Sequence, residues 1–347
     1  MKVHFEIHHL NKKFPLRISR GVRDGQDNLF VAVTDGKYTG WGETSPGVSE
    51  GAATAEEAQE ALKHLLKEKP NLSAPHTVYD LALKLGTAPC ALAALDIALW
   101  DLLAKRAQLP LYELLGFPLP TLPTSITLGI MSPPEAKERL PLILEAEGIR
   151  TLKVKLGSTE GIDADKAMYQ EVLAYHEQYP LSIRVDANGG WNLEEAKHMM
   201  HWLAKRGCAY VEQPLKEGEE ALLPELYKDR PLPIFVDESC RFATDIPKWA
   251  HAVDGVNLKL MKCGGITGAL RIIATAQAFG LKTMIGCMGE TSISIAAGAA
   301  VSGVLDHIDL DSHLNLKPDP CEGAPLINEV TMPRAVPGHG GQFKSHQ

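Results

Sequence analysis

Apolar and polar positions along this 347-residue chain change period partway through. Near the start they alternate: Val3, Phe5 and Ile7 fall on one face of a strand. Leu29-Phe30-Val31-Ala32-Val33 is an apolar run leading into the turn Asp35-Gly36, and Gly40-Trp41-Gly42-Glu43 closes an antiparallel meander. From Thr54 to Lys67, and again from Ala88 to Gln108, the period becomes that of a helix. The second helix is apolar nearly all round from Ala91 to Leu102, the pattern of a helix buried between domains. Phe117-Pro118-Leu119-Pro120-Thr121-Leu122-Pro123 reads as an extended linker.

Beyond the linker, strand and helix periods alternate regularly. The strands expected are Ser125–Ile130, Thr151–Leu156, Ser182–Ala187, Ala209–Gln213, Pro233–Asp237, Gly255–Leu260, Lys282–Cys287 and His307–Asp311. Helical stretches such as Glu194–Lys205 and Ile266–Phe279 separate them. Eight strands with seven intervening helices suffice to close an α/β barrel. The expected organisation is a small α+β domain over 1–118, a barrel over 119–315 and a Pro- and Gly-rich tail over 316–347. That tail should pack back onto the small domain or fray.

Composition narrows the function classes. With 35 basic and 43 acidic residues the net charge is −8, and no basic run marks a nucleic-acid footprint. The six cysteines are scattered without C-x-x-C spacing, so neither a zinc site nor a disulfide framework is indicated. The first residues lack a signal-peptide core, and no apolar stretch reaches the roughly 18 residues that span a bilayer. The expectation is a cytoplasmic enzyme with no membrane or nucleic-acid partner.

Three strand ends carry the candidate chemistry: Val185-Asp186-Ala187-Asn188, Val211-Glu212-Gln213-Pro214 and Val236-Asp237-Glu238-Ser239. Their carboxylates lie 26 and then 25 residues apart, the pitch of one strand plus one helix in a barrel whose active site sits at the strand C-termini. A lone Asp at a strand end is more often a helix cap. Three at barrel pitch would repel one another unless a cation joined them, and oxygen-only ligands suit a hard divalent ion, Mg²⁺.

The strand before the trio reads Leu152-Lys153-Val154-Lys155-Leu156, and residues two apart share a face, so both lysines point into the barrel. Unless they serve a site, two inward lysines are costly. The sixth strand offers Lys259, opposite Lys155, while Lys262 lies past that strand's end and reads as a loop cation. Two bases on opposite faces of one carbon can take a proton from one side and return it from the other. A free lysine with a pKa of about 10.4 needs its surroundings to lower that value. Asp309 and Asp311 share a face at the last strand, either reaching the mouth or forming a solvated acidic edge. His4, His8, His9, His198 and His201 read as surface histidines. The glycines of Gly286-Cys287-Met288-Gly289 either let backbone amides approach a ligand or serve a tight turn, Gly264-Gly265 fits a tight strand-to-helix turn, and no dinucleotide or phosphate-loop fingerprint is present.

Taken together, these motifs resemble the enolase superfamily, and its muconate-lactonising-enzyme subgroup in particular. The match runs from Gly40-Trp41-Gly42-Glu43-Thr44-Ser45-Pro46, through Ala94-Leu95-Asp96-Ile97-Ala98-Leu99-Trp100-Asp101-Leu102 and Lys153-x-Lys155, to the three carboxylates and Lys259 with Lys262-x-Gly264-Gly265. The resemblance implies an N-terminal capping domain over a modified TIM barrel, (β/α)₇β. It assigns Mg²⁺ to Asp186, Glu212 and Asp237, the acid/base pair to Lys155 and Lys259, and the substrate carboxylate to Lys153.

Within the subgroup the chain looks most like dipeptide epimerases of the L-Ala-D/L-Glu type. The feature carrying this is Asp309-Leu310-Asp311, which in that family grips the α-ammonium of a dipeptide. By the same resemblance Thr127, Cys287, Met288 and Gly289 line the peptide, the last three by their backbone. Leu16–Arg23 matches the family's specificity loop, with Arg20 or Arg23 either pairing with a substrate carboxylate or solvated. The implied activity is a two-base 1,1-proton transfer at the C-terminal residue of an L-Ala-x dipeptide through an enediolate, in a homo-oligomer. A cycloisomerase or o-succinylbenzoate synthase would share lysines, metal and barrel but has no use for an ammonium-binding pair. A silent binding protein would have no need of intact acid/base positions.

Overall fold

In the computed structural model, which describes residues 1–146 and 148–344, the meander comprises β1 (Lys2–Ile18), β2 (Gly21–Thr34) and β3 (Thr39–Thr44). The first hairpin is far longer than the alternation suggested. The segment expected as a loop is paired at its tip, Leu16 with Arg23, Arg17 with Val22 and Ile18 with Gly21, after a register shift between Asn11 and Leu16. Pro15, which cannot donate to a ladder, falls in that irregular stretch. The Ile130 amide donates to the Arg17 carbonyl at 2.8 Å, so the hairpin arm reaches the barrel.

Three helices follow, α1 (Ala55–Lys67), α2 (Pro75–Lys84) and α3 (Pro89–Ala107). Every residue from Cys90 to Leu102 in α3 is buried, as expected of a helix apolar all round. It packs close to β3 because Gly40 and Gly42 carry no side chain: an added Cβ at either would come within 2.0 Å of the Ala98 or Ala94 carbonyl oxygen. A short turn, α4 (Leu111–Leu114), leads to the linker.

The barrel strands are β4 (Ile126–Leu128), β5 (Thr151–Lys155), β6 (Ser182–Asp186), β7 (Cys208–Glu212), β8 (Ile234–Val236), β9 (Gly255–Lys259), β10 (Lys282–Gly286) and β11 (His307–Ile308). They form one parallel sheet in sequence order. A parallel bridge between Thr124 and Ile308, with the Ser125 amide donating to the Ile308 carbonyl at 3.1 Å, joins the first strand to the last. The crossovers are α5 (Pro133–Ala146), α6 (Ile162–Ala174), α7 (Leu193–Ala204), α8 (Leu223–Lys228), α9 (Ile246–Trp249), the pair α10 (Leu260–Cys263) and α11 (Ile266–Ala278), and α12 (Ser292–Val301). This is a mixed α/β barrel of the (β/α)₇β kind. Its lower interior is filled by Tyr210, Phe235 and Met284, with His307 stacked 4.8 Å from Tyr210.

Two strands end more than one residue sooner than expected. After Leu128 the chain turns to meet the hairpin arm, and after Ile308 it enters a 3₁₀ turn at Ser312, so Asp309 and Asp311 project from the loop at the mouth. The tail packs onto the N-terminal elements. Cys321–Glu322 pairs with Gln342–Phe343, and Phe343 stacks 4.9 Å from Phe30 and 5.1 Å from Trp41. The six cysteines are unpaired. Among the described residues no helix is long and apolar enough to cross a membrane.

Candidate active site

Strand twist and barrel closure bring Asp186, Glu212 and Asp237 from the ends of β6, β7 and just past β8 into one buried cluster, with one oxygen of each within 4.8 Å of the others. Lysines surround it. Lys153 Nζ lies 2.8 Å from Glu212 Oε2, 2.8 Å from Asp309 Oδ2 and 3.3 Å from Asp186 Oδ2. Lys155 meets Asp186 Oδ2 at 2.5 Å, and Lys259 meets Asp237 Oδ2 at 2.7 Å. The two lysines therefore approach from β5 and β9, opposite strands of the barrel.

Lys262 is not the loop cation expected from its position past the strand. The single turn of α10 folds it back into the protein, where it is 3% exposed. Its ammonium sits 2.5 Å from Asp237 Oδ1 and donates to the carbonyls of Asp237, Cys240 and Asn257. The turn ends at Gly264 with φ +80°, a left-handed cap that glycine adopts without strain. The Gly264-Gly265 pair was the available signal.

The electrostatics follow from burial set against these contacts. Burial would push Asp186 up, but Lys155 and Lys153 outweigh it and hold its carboxyl down to about 2. Asp237 is likewise buried, yet Lys259, Lys262 and Lys153 hold it well below the usual carboxylate range. In Glu212 burial and the repulsion of Asp186 prevail over Lys153, and its carboxyl rises to about 7. Burial lowers Lys153 and Lys259, but the carboxylates around each raise both ammonium groups above their ordinary value.

The donor set fits a hard divalent ion. Glu212 Oε2 and Asp237 Oδ1 are buried beside ammonium groups but out of line for a hydrogen bond, so both keep unsatisfied lone pairs. Two such oxygens in a carboxylate trio are what a cation would satisfy. Asn257 orients the trio by donating to Glu212 Oε1 at 2.6 Å, a role not anticipated from sequence.

A cavity of about 450 Å³ opens above the cluster. Lys153, Lys155, Lys259, Thr127, Arg20, Arg23, Cys287, Met288, Gly289, Asp309 and Asp311 all line it. Apolar side chains, among them Phe14, Leu16, Ile18, Ile126, Ile143 and Met288, form much of its wall. Asp311 Oδ2 accepts from the Thr127 amide at 2.7 Å, and Asp309 accepts from Ser125 Oγ at 2.5 Å as well as from Lys153. Part of the backbone at Cys287-Met288-Gly289 is engaged within the protein. The Met288 amide donates to Glu290 Oε1 at 2.7 Å and the Gly289 amide to Ser45 Oγ at 3.2 Å. The Gly289 carbonyl is also held, by Asn28 Nδ2 at 2.8 Å and Gln26 Nε2 at 3.2 Å.

Arg20 stands at the mouth but is already engaged. Its guanidinium pairs with Glu238 Oε1 at 2.6 Å and donates to the Asn188 carbonyl at 3.1 Å, beside Ser19 Oγ at 2.9 Å on the same oxygen.

Residues 2–116 match the model of the mandelate racemase / muconate lactonizing enzyme N-terminal domain, and residues 135–346 match that of the enolase C-terminal domain-like family. A hydrophobic dipeptide epimerase from Flavobacteria bacterium is 58% identical over 344 residues, 99% of each chain. The L-Ala-D/L-Glu epimerase of Bacillus subtilis, solved as a substrate-liganded complex, superposes with a TM-score of 0.92 at 29% identity, covering 100% of this chain and 99% of that one. A dipeptide epimerase from Enterococcus faecalis, solved with Mg and L-Leu-L-Tyr, is 32% identical with a TM-score of 0.88 over 99% of both chains.

Proposed function

The chain belongs to the mandelate racemase / muconate lactonizing enzyme family of the enolase superfamily, and within it we propose that it is an Mg²⁺-dependent dipeptide epimerase acting on apolar residues. The observation that carries this reading is the placement of Lys155 and Lys259 on opposite strands, each ammonium on a different carboxylate of one buried trio beneath the cavity. Asp186, Glu212 and Asp237 would hold the ion. Bound there, it would draw the carboxylates' charge away from the lysines and stabilise the enediolate formed when an α-proton leaves the substrate.

The chain's own residues do the rest. Lys153 neutralises the substrate carboxylate, which fixes the C-terminal residue above the trio. One of Lys155 and Lys259 takes the α-proton from its face, and the other returns a proton to the opposite face, inverting that centre. Asp309 and Asp311 clasp the ammonium at the far end of the dipeptide through charge-assisted hydrogen bonds. An amine-free substrate for a cycloisomerase gives these two carboxylates nothing to hold. Phe14, Leu16, Ile18, Ile126 and Ile143 present apolar surface to the side chain at the inverted centre.

The test is α-proton exchange. L-Ala-L-Leu or L-Leu-L-Tyr incubated with the protein and Mg²⁺ in D₂O should take up deuterium at the C-terminal α-carbon and accumulate the epimer, as read by NMR. Turnover of N-acetyl dipeptides or amine-free acids in preference to free dipeptides would overturn the reading.

A further inference from the structure

Gln213 directly follows Glu212, is 2% exposed and holds φ at +40°, in the left-handed region. That conformation is uncommon for a residue other than glycine or asparagine. Its purpose is legible in the ladder. Were β7 and β8 to pair one residue further, the Asp237 amide would donate to the Gln213 main-chain carbonyl. The left-handed turn aims that carbonyl at Gly189 instead, whose amide donates to it at 2.8 Å. The side chain then takes the vacated place. Gln213 Oε1 accepts from the Asp237 amide at 2.9 Å and from the Ser239 amide at 3.3 Å. Its Nε2 donates to the Leu215 carbonyl at 2.8 Å and to Ser239 Oγ at 2.9 Å. Ser239 Oγ donates in turn to Glu220 Oε1 at 2.8 Å, and the Gln213 amide donates to the Phe235 carbonyl at 2.8 Å. Every polar group of this buried residue is used, and its partners lie on the strand ends that carry Asp186, Glu212 and Asp237.

We propose that Gln213 is a positioning residue for the metal: by tying the ends of β6, β7 and β8 together it fixes the spacing of the three carboxylates to suit a small divalent ion. The proposal rests on the Mg²⁺ assignment made above and is independent of which substrate is inverted. Mg²⁺ demands near-ideal octahedral geometry at short range, whereas Ca²⁺ accepts longer and more varied contacts. A trio held at fixed spacing therefore favours Mg²⁺, and slackening it weakens Mg²⁺ binding more than Ca²⁺ binding. Strained backbone beside a ligand persists where the surroundings over-determine it, as these contacts do.

Two substitutions separate the side chain from the backbone. Gln213→Met keeps the bulk without the amide, and Gln213→Gly also relaxes the left-handed turn. Calorimetric titration of the full-length, metal-free protein with MgCl₂ and with CaCl₂ gives both affinities without reference to turnover. Each variant should raise the Mg²⁺ Kd at least about tenfold and the Ca²⁺ Kd by less than about threefold. Ser239→Ala leaves Gln213 in place but removes the hydroxyl that fixes its Nε2. It should move the ratio of the two Kd values in the same direction, which keeps the test decisive should the Gln213 variants fold poorly. An unchanged Mg²⁺ affinity in the variants, or equal losses for the two ions, overturns the proposal. Absence of Mg²⁺ binding in the unmodified protein would defeat the metal assignment itself, and is seen before any variant is compared.

Discussion

Lys153 and Asp309 form an ion pair at 2.8 Å on the floor of the cavity, joining the residue suited to a substrate carboxylate with one suited to a substrate ammonium. Both are nearly inaccessible, at 1% and 4% exposure. On the proposed reading, a dipeptide bound between them would take one partner at each end, so that its two charged ends would be recognised as a unit. Asp309→Asn should therefore lower kcat/KM for free dipeptides by at least about tenfold for each 1.4 kcal/mol of interaction lost. N-acetyl dipeptides should change little in that variant, since they bring no ammonium. Equal losses for both substrate types would contradict the assignment.

Asp311 adds a pH dependence. Burial and then repulsion from Asp309 push its carboxyl up to about 6. The ionised form is the one that holds an ammonium, and it is lost as pH falls through that value. For free dipeptides kcat/KM should decline below pH of about 6, and Asp311→Asn should remove this limb from the profile.

Metal dependence follows from the unsatisfied lone pairs on Glu212 and Asp237. Exhaustive chelation should abolish exchange and Mg²⁺ should restore it. Mg²⁺ should also raise the melting temperature, because an ion at a hundredfold excess over its Kd stabilises the folded state by about 2.7 kcal/mol. Asp186→Asn should lose both effects; a melting shift that survives it would place the ion elsewhere.

The two lysines should fail in distinguishable ways. Lys155→Ala and Lys259→Ala should each abolish epimerisation, while α-deuterium uptake survives with whichever substrate epimer presents its proton to the remaining base. Uptake by the same epimer in both variants would sink the two-face arrangement.

A further dependence concerns folding. Glu43 on β3 is fully buried and accepts from the Thr291 amide and hydroxyl and from Asn28, yet burial outweighs these bonds and its carboxyl rises to about 7. Its folded value lies above the unfolded one of about 4.3. The contribution of Glu43 to stability is therefore complete below the unfolded value and is lost as pH rises through about 7. Denaturant unfolding from pH 5.5 to 8 should show stability falling less steeply in Glu43→Gln than in the unmodified protein.

Much of this was legible in the sequence because the barrel writes its pitch into the chain. Asp186, Glu212 and Asp237 recur with each strand-helix unit, and Lys153 and Lys155 stand out because inward lysines are unusual in a packed interior. The hairpin tip was harder to read. Phe14, Leu16 and Ile18 do alternate, but Pro15 and the lysines beside it carry a loop's composition, and only the barrel mouth beneath gives the apolar face a partner. Sequence position alone makes Lys262 look like a loop cation, because a strand period says nothing of a helical turn that doubles back. Glu238 lies beside Asp237 in sequence, yet its pairing with Arg20 joins residues more than two hundred positions apart, beyond any local pattern.

The stacking of Phe343 on Phe30 and Trp41 has a consequence for the order in which the protein can be made. The aromatic cluster on the N-terminal sheet waits for a ring added only after all eight barrel strands have left the ribosome. Until then Phe30 and Trp41 would lack that ring, and a sheet missing it would be a surface open to chaperones and to misassociation. The barrel can close first, and the sheet that roofs its mouth is finished last.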